Sequence, residues 1–288
     1  MSMTWKELLR KKVMLLTLIL TGVFLLAFWF VAGSISDSTF TMGMAEGSGE
    51  QMIARFADGA IILTLGFFFG AFVIAFLAIF SSSSALAGEA EVGVLQALLP
   101  RPLPRWKWYL GRWLGYVTLG MGYALLLFMA IVSIADAHAS IPGEPASLIK
   151  AFLLFSSVVP MLVSISMLGS GIFSAIGNGV FMTMLYGAGW LGGTIDKMSG
   201  SLDLKPDIAE SLRTVTGIMS LLMPADGLQR KMLAELFSLD ILGDMVDIHS
   251  FAIMDISVYP SGAFVGYAMF YIIAVFLLGM WLFQRRDF

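Results

Sequence analysis

The stretch 88-GEAEVGVLQALLPRPLPR-105 lies between two long apolar runs and resembles neither of them. Glu89 and Glu91 fall where a helix would have its first turn, and negative charge there suits the positive end of the helix dipole. Val92, Leu95 and Leu99 then recur at helical spacing, with Leu98 flanking the stripe and Gln96 on the polar side. Pro100, Pro102 and Pro104 end the helix, because each removes a backbone donor and turns the preceding residue away from helical angles. Arg101, Arg105, Lys107 and Arg112 follow, the positive charge expected of a cytoplasmic loop beside a membrane span. The pattern predicts a helix over 88–99, too short to cross a bilayer and hung between two crossings, where its apolar stripe can dock against a partner.

Composition places the rest of the chain in a membrane. Of its 288 residues 58% are hydrophobic and 13% charged, and the mean hydropathy is +0.88, which removes soluble readings. The net charge of −3 includes no basic block of the kind that binds nucleic acid. With no Cys, thiol chemistry, disulfides and Cys-based metal sites are all excluded. The two His residues, His138 and His249, are far apart and read as loop residues rather than as metal ligands.

Apolar runs predict an all-α membrane protein with six transmembrane helices in a single domain over 1–288: spans at 13–32, 60–80, 113–134, 151–175, 178–195 and 262–283. The first carries no charge over its whole length and is too long for a signal-peptide core, so it is expected to be retained. Between the first two, 34–59 is rich in Gly and Ser and reads as an acidic external loop. The serines 81–84 mark the exit of the second span. Trp106, Trp108 and Trp113 suit the membrane interface at the start of the third. Pro142-Gly143 and Pro145 make the following loop a turn, Pro160 interrupts the fourth span, and the fifth is short and rich in Gly. The segment 196–261 holds ten acidic and five basic residues. Helical periodicity over 208–223 and 228–242, divided at Pro224-Ala225-Asp226-Gly227, predicts interfacial or external helices, since charges interrupt both.

Lys and Arg set the orientation. Ten lie before the first span, around 101–112 and at the tail, against Arg55 and Lys150 in the short segments of the other side. The five beyond Asp196 are left out, because long loops follow the positive-inside rule poorly. Both termini are therefore expected in the cytoplasm, with the chain in the plasma membrane.

No expected span contains Asp, Glu, Lys, Arg or His, which argues against ion-coupled carriers and proton pumps. No phosphate-cradling Gly-x-x-x-x-Gly-Lys-Ser/Thr loop is present either, so any ATP hydrolysis must come from another subunit. Leu168-Gly169-Ser170-Gly171 looks superficially like a nucleophile setting, but no His lies in a span to serve as base. Gly169 to Gly171, the pair Gly66 and Gly70, and the pair Gly189 and Gly193 read instead as places where helices pack closely. Glu89 has two readings that can hold together: a first-turn acid stabilising its helix by about 0.3–1 kcal/mol, and a contact to a partner. No residue stands out as a substrate ligand, and no cofactor is called for.

These residues resemble the permease subunits of ABC-2 type transporters. Gly88, Glu89, Gly93, Leu95, Leu98, Leu99, Pro102 and Arg105, followed by Leu110-Gly111-Arg112, match in order and spacing the motif which that family places between its second and third spans. Val94 stands where a Thr is common. Weaker echoes are Trp5-Lys6-Glu7-Leu8 before the first span and Phe283-Gln284-Arg285-Arg286-Asp287 after the last. The resemblance implies a homo- or heterodimer of permeases that binds two ATPase subunits through Glu89, Gly93, Leu95, Leu98, Leu99, Pro102 and Arg105, and export rather than import. A membrane scaffold that holds a cytoplasmic partner through the same helix, without moving a substrate, is the alternative.

Overall fold

The computed structural model describes residues 12–41, 49–88, 104–139, 144–201, 206–237 and 260–285. Eight helices carry them: α1 (Lys12–Thr41), α2 (Gly49–Ser82), α3 (Arg105–His138), α4 (Pro145–Ser170), α5 (Ala175–Ser201), α6 (Pro206–Leu222), α7 (Ala225–Leu236) and α8 (Gly262–Arg285). Five of these, α1 to α4 and α8, are long and apolar enough to cross a membrane. The stretch expected to form a further span, 178–195, lies in α5, which is not among the five. Its glycines, Asn178 and Asp196 dilute its apolar character.

Several helices run past the apolar stretches that mark them in the sequence. The expected acidic loop over 34–59 shrinks, because α1 continues to Thr41 and α2 begins at Gly49. Similarly α3 begins at Arg105 rather than Trp113 and takes in His138, which therefore ends a helix instead of lying in a loop. Hydropathy locates residues that suit hydrocarbon, whereas backbone hydrogen bonding continues until the chain itself stops it. Pro145 occupies the first turn of α4, where its missing N–H costs nothing. Pro160 sits inside α4 without ending it. Beside it Ser164 Oγ donates to the Pro160 carbonyl at 2.6 Å and accepts from Trp113 Nε1 at 2.9 Å, so α3 braces this turn.

In its most apolar stretch α4 is 78% buried inside the protein, against 11% for α1 and 17% for α8, so it forms the axis of the bundle. Close packing rather than hydrophobicity joins such helices, since lipid is as apolar as their side chains. Ile131 of α3 enters the gap at Gly66 and Gly70 of α2; a Cβ there would meet it at 2.7 and 2.8 Å. The ring of Phe67 lies against those of Phe128 and Phe155, at 5.1 and 5.2 Å, and joins α2, α3 and α4. At the far end Trp29 of α1 meets the His138 ring edge-on at 4.6 Å, and Ser36 Oγ donates to the His138 carbonyl.

Together α6 and α7 make a hairpin that turns at Met223 and Pro224 and packs into the bundle. Met223, Leu228 and Met232 are buried, and α7 lies against α4 along its length. Gln229 Nε2 donates to the Phe67 carbonyl at 3.1 Å, a point about 15 Å along α2 from Ala57 and so about halfway through the apolar part of that helix. The last turn of α6 would leave carbonyls unpaired. Tyr267 and Tyr271 of α8 donate to two of them, Leu221 and Leu222, at 2.6 and 2.8 Å. The charges of α7 are paired within the fold, whereas Glu210 and Arg213 of α6 are exposed. Arg230 meets Asp226 at 2.9 Å and Asp196 at 3.1 Å, while Lys231 meets Glu235 at 3.0 Å. Gly189 and Gly193 of α5 make room for Met223 and Asp226 at the turn.

Candidate functional site

Of the residues that carry the motif, Glu89, Gly93, Leu95, Leu98, Leu99 and Pro102 lie outside the described residues. Gly88 and Arg105, which frame them, are both described, and the turn that leads to Gly88 and Arg105 itself are fastened to the bundle.

On the leading side, α2 ends in its run of serines, whose hydroxyls bond back to a carbonyl of the preceding turn. Ser82 Oγ donates to the Ala78 carbonyl at 2.5 Å, and Ser81 Oγ shares that acceptor at 3.3 Å. The chain then turns: Ala85 N–H reaches the Ser82 carbonyl at 3.0 Å and Gly88 N–H the Ser84 carbonyl at 3.1 Å. Two further donors of the turn, the Leu86 and Ala87 N–H groups, both point to Ser170 Oγ at 3.0 Å. Ser170 is the last residue of α4 and is buried. Its hydroxyl is an acceptor for a turned backbone rather than a nucleophile in search of a base.

The chain's single asparagine, Asn178, closes the same knot from α5. Its Nδ2 donates to the Ser83 carbonyl at 3.0 Å and to the Ser166 carbonyl at 2.8 Å, so one side-chain amide ties the end of α2, the last turns of α4 and the first turn of α5. The approach requires glycine at 169, because a side chain there would collide with the Asn178 amide. Asn178 is fully buried, where such hydrogen bonds exchange poorly with water.

On the trailing side, Arg105 opens α3 and its Nη1 donates to the Gln284 carbonyl at 3.2 Å, serving the negative end of α8. Trp108 stacks on Phe283 at 5.2 Å, and Arg112 lies 5.4 Å from the Trp108 ring. Tyr109 is buried among Phe276, Phe283 and Gly279. Both ends of 88–105 are therefore attached to different helices, α4 and α5 before it and α8 after it.

Ser170, Asn178 and Gln229 are the positions that the amino-acid pattern alone does not single out as joints. The available signal is polarity out of place: the only Asn of the chain inside an apolar run, a Ser between two Gly, and a Gln in a helix bearing paired charges. Among the described residues no three His or carboxylate side chains converge to hold a metal ion. Compared with known families, the whole chain, residues 1–288, matches the family described as ABC-2 family transporter protein. No curated protein matches it.

Proposed function

The chain belongs to the ABC-2 family of transporter membrane proteins, and from that premise we propose that it is the permease subunit of an exporter driven by a separate ATPase. The stretch 88–99 is the element that meets the ATPase, with Leu95, Leu98 and Leu99 filling a groove on it and Glu89 at the leading end. Gly93 allows close approach, and Pro102 and Arg105 return the chain to the bundle. The observation that carries this reading is the double attachment of the stretch, through Leu86 and Ala87 to Ser170 and through Arg105 to Gln284. A force applied at those points acts on α4, α5 and α8 together.

In this reading α5 is the fifth of six crossings, both termini are cytoplasmic and the protein lies in the plasma membrane, paired with a second permease as homo- or heterodimer. The positive-inside count supports that orientation. Reconstitution with the ATPase tests the proposal. The expected product contains two copies of each kind of subunit and shows nucleotide-dependent transport, whereas the permease alone hydrolyses no ATP. A stable assembly without transport would favour the scaffold alternative, and ATP turnover by the isolated chain would refute both.

A further inference from the structure

A cavity of about 360 Å³ opens at the end of the bundle where α4 and α8 finish and the turn after α2 passes between them. Leu86 of that turn, Met167 and Leu168 of α4, Ile172 just beyond it, and Gly279 and Leu282 of α8 contribute to its walls. The size is that of a small-molecule site, about 300–1,000 Å³. Among the described residues of its lining Arg285 is the only charged one. Ile172 and Leu282, 58% and 37% exposed, leave the slot accessible from the side of the bundle.

Beyond Arg285 on the lining, cations and indoles lie on α3 and α8 at this end of the bundle. The Arg285 guanidinium lies 4.2 Å from the centre of the Trp281 ring, and Lys107 lies 5.5 Å from that of Trp106. Arg105 is fastened to Gln284 and Arg112 rests near Trp108, so the starts of two basic turns on α3 adjoin the last turn of α8. Indoles with basic side chains at the end of a membrane-crossing helix mark the depth of lipid headgroups. An arginine beside an apolar slot, at a bundle end carrying further basic side chains, is complementary to one kind of molecule, an amphiphile with a negative head and a hydrocarbon tail.

We infer that this is a binding site for an anionic phospholipid, with the phosphate at Arg285 and one acyl chain in the slot. Leu86 forms part of the wall while its N–H is held by Ser170, so the lipid touches the joint that leads into the 88–105 stretch. The inference rests on this cavity and its arginine and stands apart from the transport reading.

Native mass spectrometry of the full chain, delipidated in detergent and titrated with phosphatidylglycerol or phosphatidylcholine of identical chains, tests it. Wild type should retain phosphatidylglycerol about fivefold more tightly, the effect of one basic side chain at a headgroup. Arg285→Gln should bring the two lipids to near parity, and Leu282→Trp, which narrows the slot, should weaken both. Lys150→Gln, at the opposite end of α4, should keep the wild-type preference. Because Arg285 is exposed at a helix end, its substitution leaves folding intact and is decisive should Leu282→Trp fail to fold. Equal retention of both lipids by wild type, an undiminished preference in Arg285→Gln, or displacement of the lipid by glycerol phosphate lacking acyl chains would each overturn the inference.

Discussion

Gln229 of α7 donates its side-chain amide to the Phe67 carbonyl of α2 at 3.1 Å, joining a polar helix to the middle of an apolar one. Hydrogen bonds between helices in membranes contribute about 0.6 kcal/mol on average and up to about 1.7 kcal/mol. Gln229→Leu, which keeps the volume and removes the donor, should therefore destabilise the purified protein by about 1 kcal/mol in detergent unfolding. An unchanged midpoint would show that the hairpin is held by packing alone.

The Arg230 cluster gives a larger and directional effect. Arg230 lies between Asp226 and Asp196, with 13% of its side chain exposed. Removing it leaves two carboxylates facing each other in a largely buried place, whereas Asp226→Asn leaves Arg230 paired with Asp196. Breaking a buried pair from one side costs about 3–5 kcal/mol, and the partial exposure of Asp196 puts Arg230→Gln at the low end of that range. Asp226→Asn should cost less. Unfolding midpoints of the two variants, with the double variant closing the cycle, measure the difference.

Ser170→Ala removes the acceptor shared by the Leu86 and Ala87 N–H groups. A buried donor left without a partner costs about 1–3 kcal/mol, and here the loss falls on a turn rather than on a helix core. The protein should still assemble with its ATPase and should hydrolyse ATP, but with less transport per ATP. Asn178→Ala, which releases α2 from α4 and α5, should act in the same direction. Transport that falls only in proportion to ATP turnover would show that the joint is structural and does not transmit force.

Leu95→Asp and Gln96→Ala separate the two faces of the predicted helix. If Leu95 fills a groove on the ATPase, a charge there costs about 3 kcal/mol or more, and the ATPase should no longer co-purify. Gln96→Ala should stay within about 0.5 kcal/mol of wild type. The comparison is made at equal membrane abundance, and full co-purification with Leu95→Asp would remove the docking role.

Without any native Cys, single introduced cysteines report sidedness cleanly. Ser48→Cys and Ser201→Cys should react with an impermeant thiol reagent outside intact cells, and Gln96→Cys should not. Labelling of position 96 from outside would invert the orientation.

Five of the six expected spans were legible as helices long and apolar enough to cross a membrane, because long apolar runs leave few alternatives, whereas 178–195 falls in α5, which is not among them. The glycine pairs were legible as contacts, and Ile131 against Gly66 and Gly70 is one of them. Helix ends were less so: Arg105 and Asp37 are helical although polar, because hydropathy does not sense where backbone bonding stops. The two helices of the α6–α7 hairpin and the break at Pro224 were legible from their periodicity, but their packing against the bundle was hidden for a different reason. Asp226, Arg230 and Asp196 each argue for water when read singly, and only the fold shows that they satisfy one another. Ser170 and Asn178 act through carbonyls and N–H groups of distant residues, partners that no local pattern identifies.

The hairpin also sets an order of events during synthesis. α7 carries Asp226, Arg230, Lys231 and Glu235 and has no apolar run with which to enter a bilayer unaided. Its resting place is built mostly from α4 and α5, with Gln229 bonded to α2, all earlier in the chain, whereas Phe264 against Gly227 and the tyrosines that serve the end of α6 belong to α8, which is made afterwards. The hairpin therefore packs onto helices made before it, and is secured only when the last helix arrives. A chain stopped before Tyr267 would hold its earlier helices in the membrane while this hairpin remained open to quality-control proteases.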